Sequence, residues 1–196
     1  DVGIHDGQHY FTMDYVAGRS LVDLVREHPL PARAAASYLE TIAKAIHYAH
    51  EQGVLHRDLK PSNVLIDAFD QPRITDFGLA KRLTGSTSDL TVSGQALGSP
   101  NFMPPEQATG KHKTSGPTSD IYGLGAILYY LITGRPPFMA DNASAAVRQV
   151  LENEPVSPRV LNPGVPRDLE TICLKSLQKE PLQRYATAQE MAEELG

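Results

Sequence analysis

The spacing of apolar residues predicts a mainly helical chain with a few short strands. Residues 31–52 repeat apolar positions at the spacing of one helix face, namely Leu39, Ile42, Ala43, Ile46 and Ala49. Pro31 suits a first helical turn, and Gly53 is a typical residue to end the helix. The pattern therefore predicts one long amphipathic helix in the first third of the chain.

Further helices are predicted along the rest of the chain. Residues 120–133 are apolar nearly all round, which is typical of a buried helix. Shorter helical patterns cover residues 21–27, 143–152, 167–178 and 188–195, and Thr187 is the expected cap of the last one. Residues 110–119 and 155–166 have no sustained period and are predicted as loops.

Two hairpins complete the predicted elements. Residues 2–5 and 9–14 flank Asp6-Gly7, a strong two-residue hairpin signal. Residues 64–66 and 72–75 are short strand-like pieces on either side of the turn at 67–71. The second hairpin would bring the residues after 75 back beside residue 63.

Composition indicates a single globular unit and excludes several function classes. The chain has 196 residues, of which 41% are hydrophobic and 21% charged, enough for one domain or one large lobe with a core. A net charge of −5 and the lack of a basic stripe argue against a nucleic-acid surface. The single cysteine, Cys173, excludes an intrachain disulfide, fits a reducing compartment and favours a buried packing role. The apolar run 121–133 is too short for a membrane span.

Candidate chemistry is concentrated around the second hairpin. The string His56-Arg57-Asp58-Leu59-Lys60-Pro61-Ser62-Asn63 precedes it, and Ile74-Thr75-Asp76-Phe77-Gly78 follows. The hairpin would fold Asp76 back beside Asn63, and oxygen ligands of this kind are those that Mg²⁺ prefers together with substrate phosphates. A polar loop between two strands is the alternative interpretation.

These two motifs resemble the catalytic loop and the metal-binding motif of the protein kinases. The resemblance covers essentially the whole chain, with its motifs in family order. It implies an α+β, protein-kinase-like fold whose C-terminal lobe is mainly helical with short β-hairpins, and whose N-terminal lobe is mostly absent. Residues 1–196 would be a partial kinase domain: 1–15 the end of the small lobe and the hinge, 16–196 the large lobe, about 76–106 the activation segment. Residues 168–172 and 184–188 further resemble bacterial eukaryotic-like Ser/Thr kinases.

The resemblance implies a role for each residue of the motifs. Asp58 would accept the proton of a substrate hydroxyl, and Lys60 would offset charge on the transferred phosphoryl. Asn63 and Asp76 would hold Mg²⁺ (or Mn²⁺) against the phosphates of ATP. The implied nucleotide-binding residues are Met13, Asp14, Val16, Ser20, Lys60, Ser62, Asn63, Leu65 and Asp76.

The adenine side of the implied site has little residue signature of its own. Met13 would be the gatekeeper, the backbone of Asp14 and Val16 would hydrogen-bond adenine, and Leu65 would form the floor of the pocket. An ordinary strand-to-helix turn is the alternative for the hinge, and a core position is the alternative for Leu65.

Regulation is expected from the segment between Asp76-Phe77-Gly78 and Pro104-Pro105-Glu106. Residues 79–103 are rich in Ser, Thr and Gly, which fits either a mobile loop or the activation segment that the resemblance implies. Arg57 would grip a phosphate on this segment, and phosphorylation is expected at Thr91 or Ser93. Ser99 would position the substrate, where the family usually has Thr. Pro104 replaces the usual Ala before Pro105-Glu106.

Four residues are expected to have structural roles. Arg184 would form a buried bidentate ion pair with Glu106, a surface arginine being the alternative. The carboxylate of Asp120 would hold the backbone of the catalytic loop, cap its own helix, or do both. His56 is interpreted as structural, and the helix histidines His47 and His50 as packing or surface residues rather than metal ligands.

What the sequence lacks bears on the function expected. No Gly-rich phosphate loop occurs, and Lys44, the only lysine before the catalytic loop, lies in the long helix. We therefore expect an excised piece of an active Ser/Thr protein kinase, cytoplasmic, with or without a membrane anchor elsewhere in the full protein. Its expected partners are protein substrates and a second copy during autophosphorylation, and the isolated chain should transfer phosphate poorly.

Two alternatives to an active protein kinase remain. The first is a non-catalytic docking module, although degenerate kinases usually lose one of four residues that are all present here: Asp58, Lys60, Asn63 and Asp76. The second is a small-molecule phosphotransferase. The full activation segment and the motif at 179–185, which contains Arg184, argue against it, because in the family these parts serve protein substrates.

Overall fold

A helical core with two small antiparallel sheets makes up the fold. The computed structural model describes residues 2–5, 8–77, 100–109 and 116–196. In these ranges the strands are β1 Val2–His5, β2 Gln8–Phe11, β3 Gly18–Ser20, β4 Val64–Asp67 and β5 Pro72–Ile74. The helices are α1 Leu21–Leu24, α2 Ala32–Glu51, α3 Pro105–Ala108, α4 Pro117–Thr133, α5 Ala143–Glu152, α6 Pro158–Leu161, α7 Arg167–Ser176 and α8 Ala188–Leu195. Single 3₁₀ turns lie at Pro61–Asn63, Pro100–Phe102 and Pro181–Gln183.

Both predicted hairpins are present as antiparallel pairs. β1 pairs with β2, with His5 opposite Gln8, so the connection has the predicted length, while Asp6 and Gly7 themselves lie outside the described residues. β2 ends at Phe11, which pairs with Val2, rather than at residue 14 as predicted. β4 lies between β3 and β5, and Val64 is paired with Ile74.

The core is built around α4. All of its residues from Ser119 to Tyr129 are buried, as the apolar pattern predicts. α4 packs against α2 on one side and α7 on another, and α2 also packs against α8. Cys173 on α7 is fully buried, which confirms its predicted packing role, and burial raises the pKa of its thiol.

Several helix ends follow the signals in the sequence. Gly53 after α2 and Gly134 after α4 both have the positive φ that glycine adopts without strain, at 72° and 76°. The hydroxyl of Thr187 accepts a hydrogen bond from the N–H of Glu190 and so caps α8, as predicted. Asn142 caps α5 in the same way through the N–H of Ala145.

Three predicted boundaries are wrong for local reasons. The helix predicted at 21–27 is a single turn that ends at Leu24, where the N–H of Val25 donates to the carbonyl of Leu21 as the C-cap. The loop predicted at 110–119 gives way to α4 at Pro117, since proline suits the first helical position. The loop predicted at 155–166 contains the single-turn helix α6, which also begins with a proline.

The end of α7 also differs from the predicted one. α7 stops at Ser176 instead of residue 178, because the main-chain N–H of Gln178 donates to the carbonyl of Lys175 in a tighter turn.

In the ranges that the structure describes, no helix is both long enough and apolar enough to cross a membrane.

Candidate active site

The acid, the lysine and the amide of the first motif lie together in the loop between α2 and β4. Nζ of Lys60 lies 2.7 Å from Oδ2 of Asp58. Nδ2 of Asn63 donates to the main-chain oxygen of Asp58 at 2.9 Å and to its Oδ2 at 3.2 Å. The side chain of Asp58 is 49% exposed, so a solvent-borne substrate can reach it. The 3₁₀ turn at Pro61–Asn63 brings the amide back to the acid.

A buried carboxylate on α4 fixes the backbone just before Asp58. Oδ2 of Asp120 accepts the N–H of His56 at 2.9 Å, and Oδ1 accepts the N–H of Arg57 at 2.7 Å. Nε2 of His50, on α2, donates to Oδ2 of Asp120 at 2.8 Å. Asp120 is therefore in the first turn of α4 with its carboxylate turned to the loop, and the alternative that it caps its own helix is wrong.

His56 links the two motifs through both of its ring nitrogens. Nε2 lies 2.9 Å from the carbonyl oxygen of Thr75, so Nε2 carries the proton. Nδ1 therefore accepts the N–H of Asp58, at 3.3 Å. Burial lowers the pKa of His56 below its usual 6.5, although the Thr75 carbonyl counteracts part of the effect. The neutral ring, which these two bonds require, is thus the favoured form, and it also packs 4.7 Å from the ring of Phe77.

The second acid follows the β4–β5 hairpin as predicted. The N–H of Thr75 donates to the carbonyl of Asn63 at 2.9 Å, which brings Asp76 to the end of the first motif. Asp76 has a left-handed backbone with φ 62°, a conformation that costs a residue with a Cβ about 1–2 kcal/mol. Such strain is often found at functional sites, where the surrounding structure holds it.

The residues implied in adenine binding lie on β4, on β3 and in the segment before β3. Ser20 pairs with Leu65 across β3 and β4, so these two positions are neighbours. The hydroxyl of Ser20 also accepts the N–H of Asp23 and caps α1. Met13 and Asp14 are exposed in the irregular segment before β3, and Val16 is half-buried there.

The predicted ion pair between Arg184 and Glu106 is present and bidentate. Nη1 and Nη2 of Arg184 each lie 2.9 Å from one carboxylate oxygen of Glu106. The arginine side chain is 0% exposed, so the alternative of a surface arginine is wrong. The hydroxyl of Ser119 donates to Glu106 at 2.7 Å. Burial would raise the pKa of Glu106, but Arg184 and Ser119 outweigh burial and hold that pKa below its usual value.

A cavity of about 170 Å³ opens beside the acid. It lies between the catalytic loop, the turn that precedes α3, and α4, and it is lined in part by Arg57, Asp58, Met103 and Gln107. Gly123 lets α4 approach the loop closely here, since an added Cβ would lie 2.7 Å from Cβ of Leu59. The arrangement thus combines an exposed acid, a lysine, oxygen ligands and an adjoining recess.

Comparison with known proteins decides the family. The family model described as "Protein kinase domain" matches residues 2–195. This chain belongs to the protein kinase family. The predictions of that family and of its fold are therefore confirmed.

Bacterial proteins are among the relatives of this kinase domain. It is 40% identical over 192 residues to the serine/threonine-protein kinase PrkC of Bacillus subtilis, which covers 97% of this chain and 29% of that protein. It is 36% identical over 187 residues to the serine/threonine-protein kinase PknB of Mycobacterium leprae, which covers 95% of this chain and 30% of that protein. The chain thus spans less than a third of the length of these relatives.

Some predicted residues of the kinase domain lie outside the described residues, and some described contacts were not predicted. Thr91, Ser93 and Ser99 all fall in the range 78–99, which the structure does not describe. The sequence predicts a packing or surface role for His50, and the structure shows in addition that it binds the carboxylate that holds the catalytic loop. Gln107 was not singled out at all, and its Nε2 donates to the carbonyl of Arg57 at 3.2 Å. Nothing in the helical period distinguishes either residue from its neighbours.

Proposed function

We propose that this kinase domain transfers the γ-phosphoryl group of ATP to serine or threonine hydroxyls of protein substrates. The observation that carries the proposal is the cluster of Asp58, Lys60 and Asn63. Nζ of Lys60 lies 2.7 Å from the exposed carboxylate of Asp58, and Nδ2 of Asn63 donates to the main-chain oxygen of Asp58 at 2.9 Å. Phosphoryl transfer requires mainly positioning and electrostatic stabilisation, and these residue types provide both.

Each member of the cluster has a distinct part in the transfer. Asp58 orients the substrate hydroxyl and accepts its proton as the oxygen attacks the γ-phosphorus. Lys60, whose Nζ also pairs with Asp58, offsets the negative charge on the transferred phosphoryl. Asn63 fixes the carboxylate of Asp58 through its Nδ2.

Use of ATP and a divalent metal is general in this family, and we propose Mg²⁺ (or Mn²⁺) as the metal here. Nδ2 of Asn63 donates to Asp58, and Oδ1 accepts a long hydrogen bond of 3.5 Å from the hydroxyl of Ser62, so Oδ1 would be an oxygen ligand while Asp76 would supply a carboxylate. No group of three or more His, Cys, Asp or Glu residues that could hold a metal occurs in the part of the chain that the structure describes. This donor set fits an ion that takes few protein oxygens and completes its shell with phosphates and water. When bound, the ion would neutralise charge on the phosphates.

The nucleotide base would lie against β4 and the segment before β3. We propose that the backbone of Asp14 and Val16 binds adenine, with Met13 as gatekeeper. The neighbouring positions of Ser20 and Leu65 support a nucleotide surface at this end of the sheet. Ser62 precedes Asn63 and is exposed, and we propose that it contacts the phosphates.

Regulation by phosphorylation is part of the proposal. Arg57 is exposed next to Asp58, and its guanidinium would bind a phosphate on Thr91 or Ser93. Ser99 would position the protein acceptor. Phosphorylation of one copy by another requires transient self-association.

We also propose a cytoplasmic location. The use of ATP and the presence of a single cysteine support it.

A transfer assay tests the proposed function. The full natural protein is incubated with γ-labelled ATP, Mg²⁺ and either a mixture of protein acceptors or a set of small alcohols and sugars. Label on serine and threonine of the proteins is expected. Label confined to the small molecules would identify a small-molecule phosphotransferase, and nucleotide binding with no transfer would favour a docking module; either result would contradict the proposal.

A further inference from the structure

Arg57, the residue before Asp58, has a strained backbone. Arg57 has φ 69°, in the left-handed region, which costs a residue with a Cβ about 1–2 kcal/mol. Such a conformation persists only where neighbouring groups hold it. Oδ1 of Asp120 holds the N–H side of Arg57 at 2.7 Å.

The next peptide group is held from both of its edges. The carbonyl of Arg57 and the N–H of Asp58 belong to one planar unit. Nε2 of Gln107 donates to that carbonyl at 3.2 Å, and the N–H donates to Nδ1 of His56 at 3.3 Å. The tilt of this plane sets the direction in which the side chain of Asp58 leaves the backbone.

Gln107 is itself on a firmly attached element. It follows Glu106 in α3, and Glu106 is bound by both nitrogens of Arg184 and by the hydroxyl of Ser119. α3, which begins at Pro105, overlaps the end of the segment from about 76 to 106. The side chain of Gln107 therefore connects the end of that segment to the peptide beside the acid.

We propose that Gln107 is a positioning residue for Asp58, acting through the carbonyl of Arg57. This inference rests on the proposed function and deepens it. Without the amide donor, the peptide before Asp58 loses one of its two restraints, so the carboxylate points less often at the substrate hydroxyl. The transfer step should slow while nucleotide binding is unaffected, because the hydrogen bond of Gln107 goes to the carbonyl of Arg57 and not to a residue proposed to bind the nucleotide.

Two substitutions in the full natural protein test this role. Gln107→Met keeps the length of the side chain and removes the donor, and Gln107→Glu keeps its shape and places a carboxylate against the carbonyl. Gln189→Met makes the same change on α8, where the amide reaches only Glu193. The turnover number is expressed per nucleotide-binding molecule, so loss of folded protein does not count as loss of catalysis.

We expect kcat to fall about 3- to 10-fold in Gln107→Met, the effect of one neutral hydrogen bond, and further in Gln107→Glu. KM for ATP should be unchanged, and Gln189→Met should match the natural protein in both constants. Unchanged kcat in both Gln107 variants, or a fall equal to that of Gln189→Met, would overturn the inference alone. A natural protein with no transfer activity would overturn the proposed function and the inference with it.

Discussion

The side-chain amide of Asn63 binds Asp58 twice, at the main-chain oxygen and at Oδ2, over 2.9 and 3.2 Å. One amide therefore fixes the direction of the carboxylate of Asp58. In the proposed function its Oδ1 would also be a metal ligand, so a single side chain would join the base and the metal site. Several consequences for activity and stability can be measured.

Asn63→Leu should impair both functions of that amide. Leucine has a similar shape but neither the donor to Asp58 nor the oxygen ligand. We expect activity to fall about 10- to 100-fold, as is usual when the support of a metal site is removed, and the half-saturating Mg²⁺ concentration to rise. Titration of Mg²⁺ in the transfer assay measures both. Reduced activity with unchanged Mg²⁺ dependence would contradict a role in metal binding.

Arg184→Met should destabilise the fold strongly. It leaves the buried carboxylate of Glu106 without its partner, which typically costs about 3–5 kcal/mol. Arg73→Met is the matched control, because Arg73 also pairs with a carboxylate, that of Asp67 at 2.8 Å, but its side chain is 56% exposed. An exposed pair contributes about 0–1 kcal/mol. Urea unfolding gives both free energies, and similar losses in the two variants would show that burial of the Glu106 pair is unimportant.

The pH dependence of stability should contain a contribution from His56. Burial lowers its pKa in the folded state below the usual 6.5, and the carboxylates of Asp58, Asp76 and Asp120 counteract only part of that effect. Between the two pKa values the folded state binds fewer protons than the unfolded state. The contribution of His56 is therefore complete above pH 6.5 and is lost as the pH falls towards the folded-state pKa.

His56→Gln provides the measurement. Glutamine does not titrate in this range. The free energy of unfolding of this variant, measured in the same buffers as that of the natural protein, should therefore fall less between pH 7.5 and pH 5. Equal slopes in the two proteins would mean that His56 has the same proton affinity folded and unfolded.

Gly123→Ala should disturb the contact between α4 and the catalytic loop. The added Cβ would lie 2.7 Å from Cβ of Leu59, and overpacking of this kind typically costs about 1–3 kcal/mol. Gly116→Ala is a suitable control, because no atom of the described residues lies within 4 Å of the Cβ it would gain. We expect lower stability and lower kcat only for Gly123→Ala. Wild-type activity in that variant would show that the loop adjusts without cost.

Elements with a strong local pattern could be predicted from the sequence. The bounds of α5 and α8 agree with their predicted ranges, since each combines a capping residue with an apolar face. The hairpin that brings Asp76 to Asn63 was predicted from two short strands and a turn. In these cases the information lies within a few neighbouring residues.

Contacts between distant parts of the chain could not be predicted in the same way. His50 and Asp120 are far apart in sequence, and nothing in the period of α2 indicates that this histidine reaches α4. Gln107 is one polar residue in a single-turn helix, where no apolar period exists to interpret. The ion pair of Glu106 and Arg184 was predicted only because its motifs resemble those of a known family.

The most direct test of the central claim, that Asp58 is the base of a phosphoryl transfer to protein hydroxyls, is the kcat of Asp58→Asn in the full natural protein. Asparagine keeps the shape but accepts no proton, and loss of a general base typically costs about 100- to 10,000-fold in rate. Asp141→Asn, at an exposed position before α5, is the control. We predict a fall of that size in Asp58→Asn, with nucleotide binding retained and Asp141→Asn fully active. Turnover of Asp58→Asn within a few-fold of the natural protein would contradict the central claim.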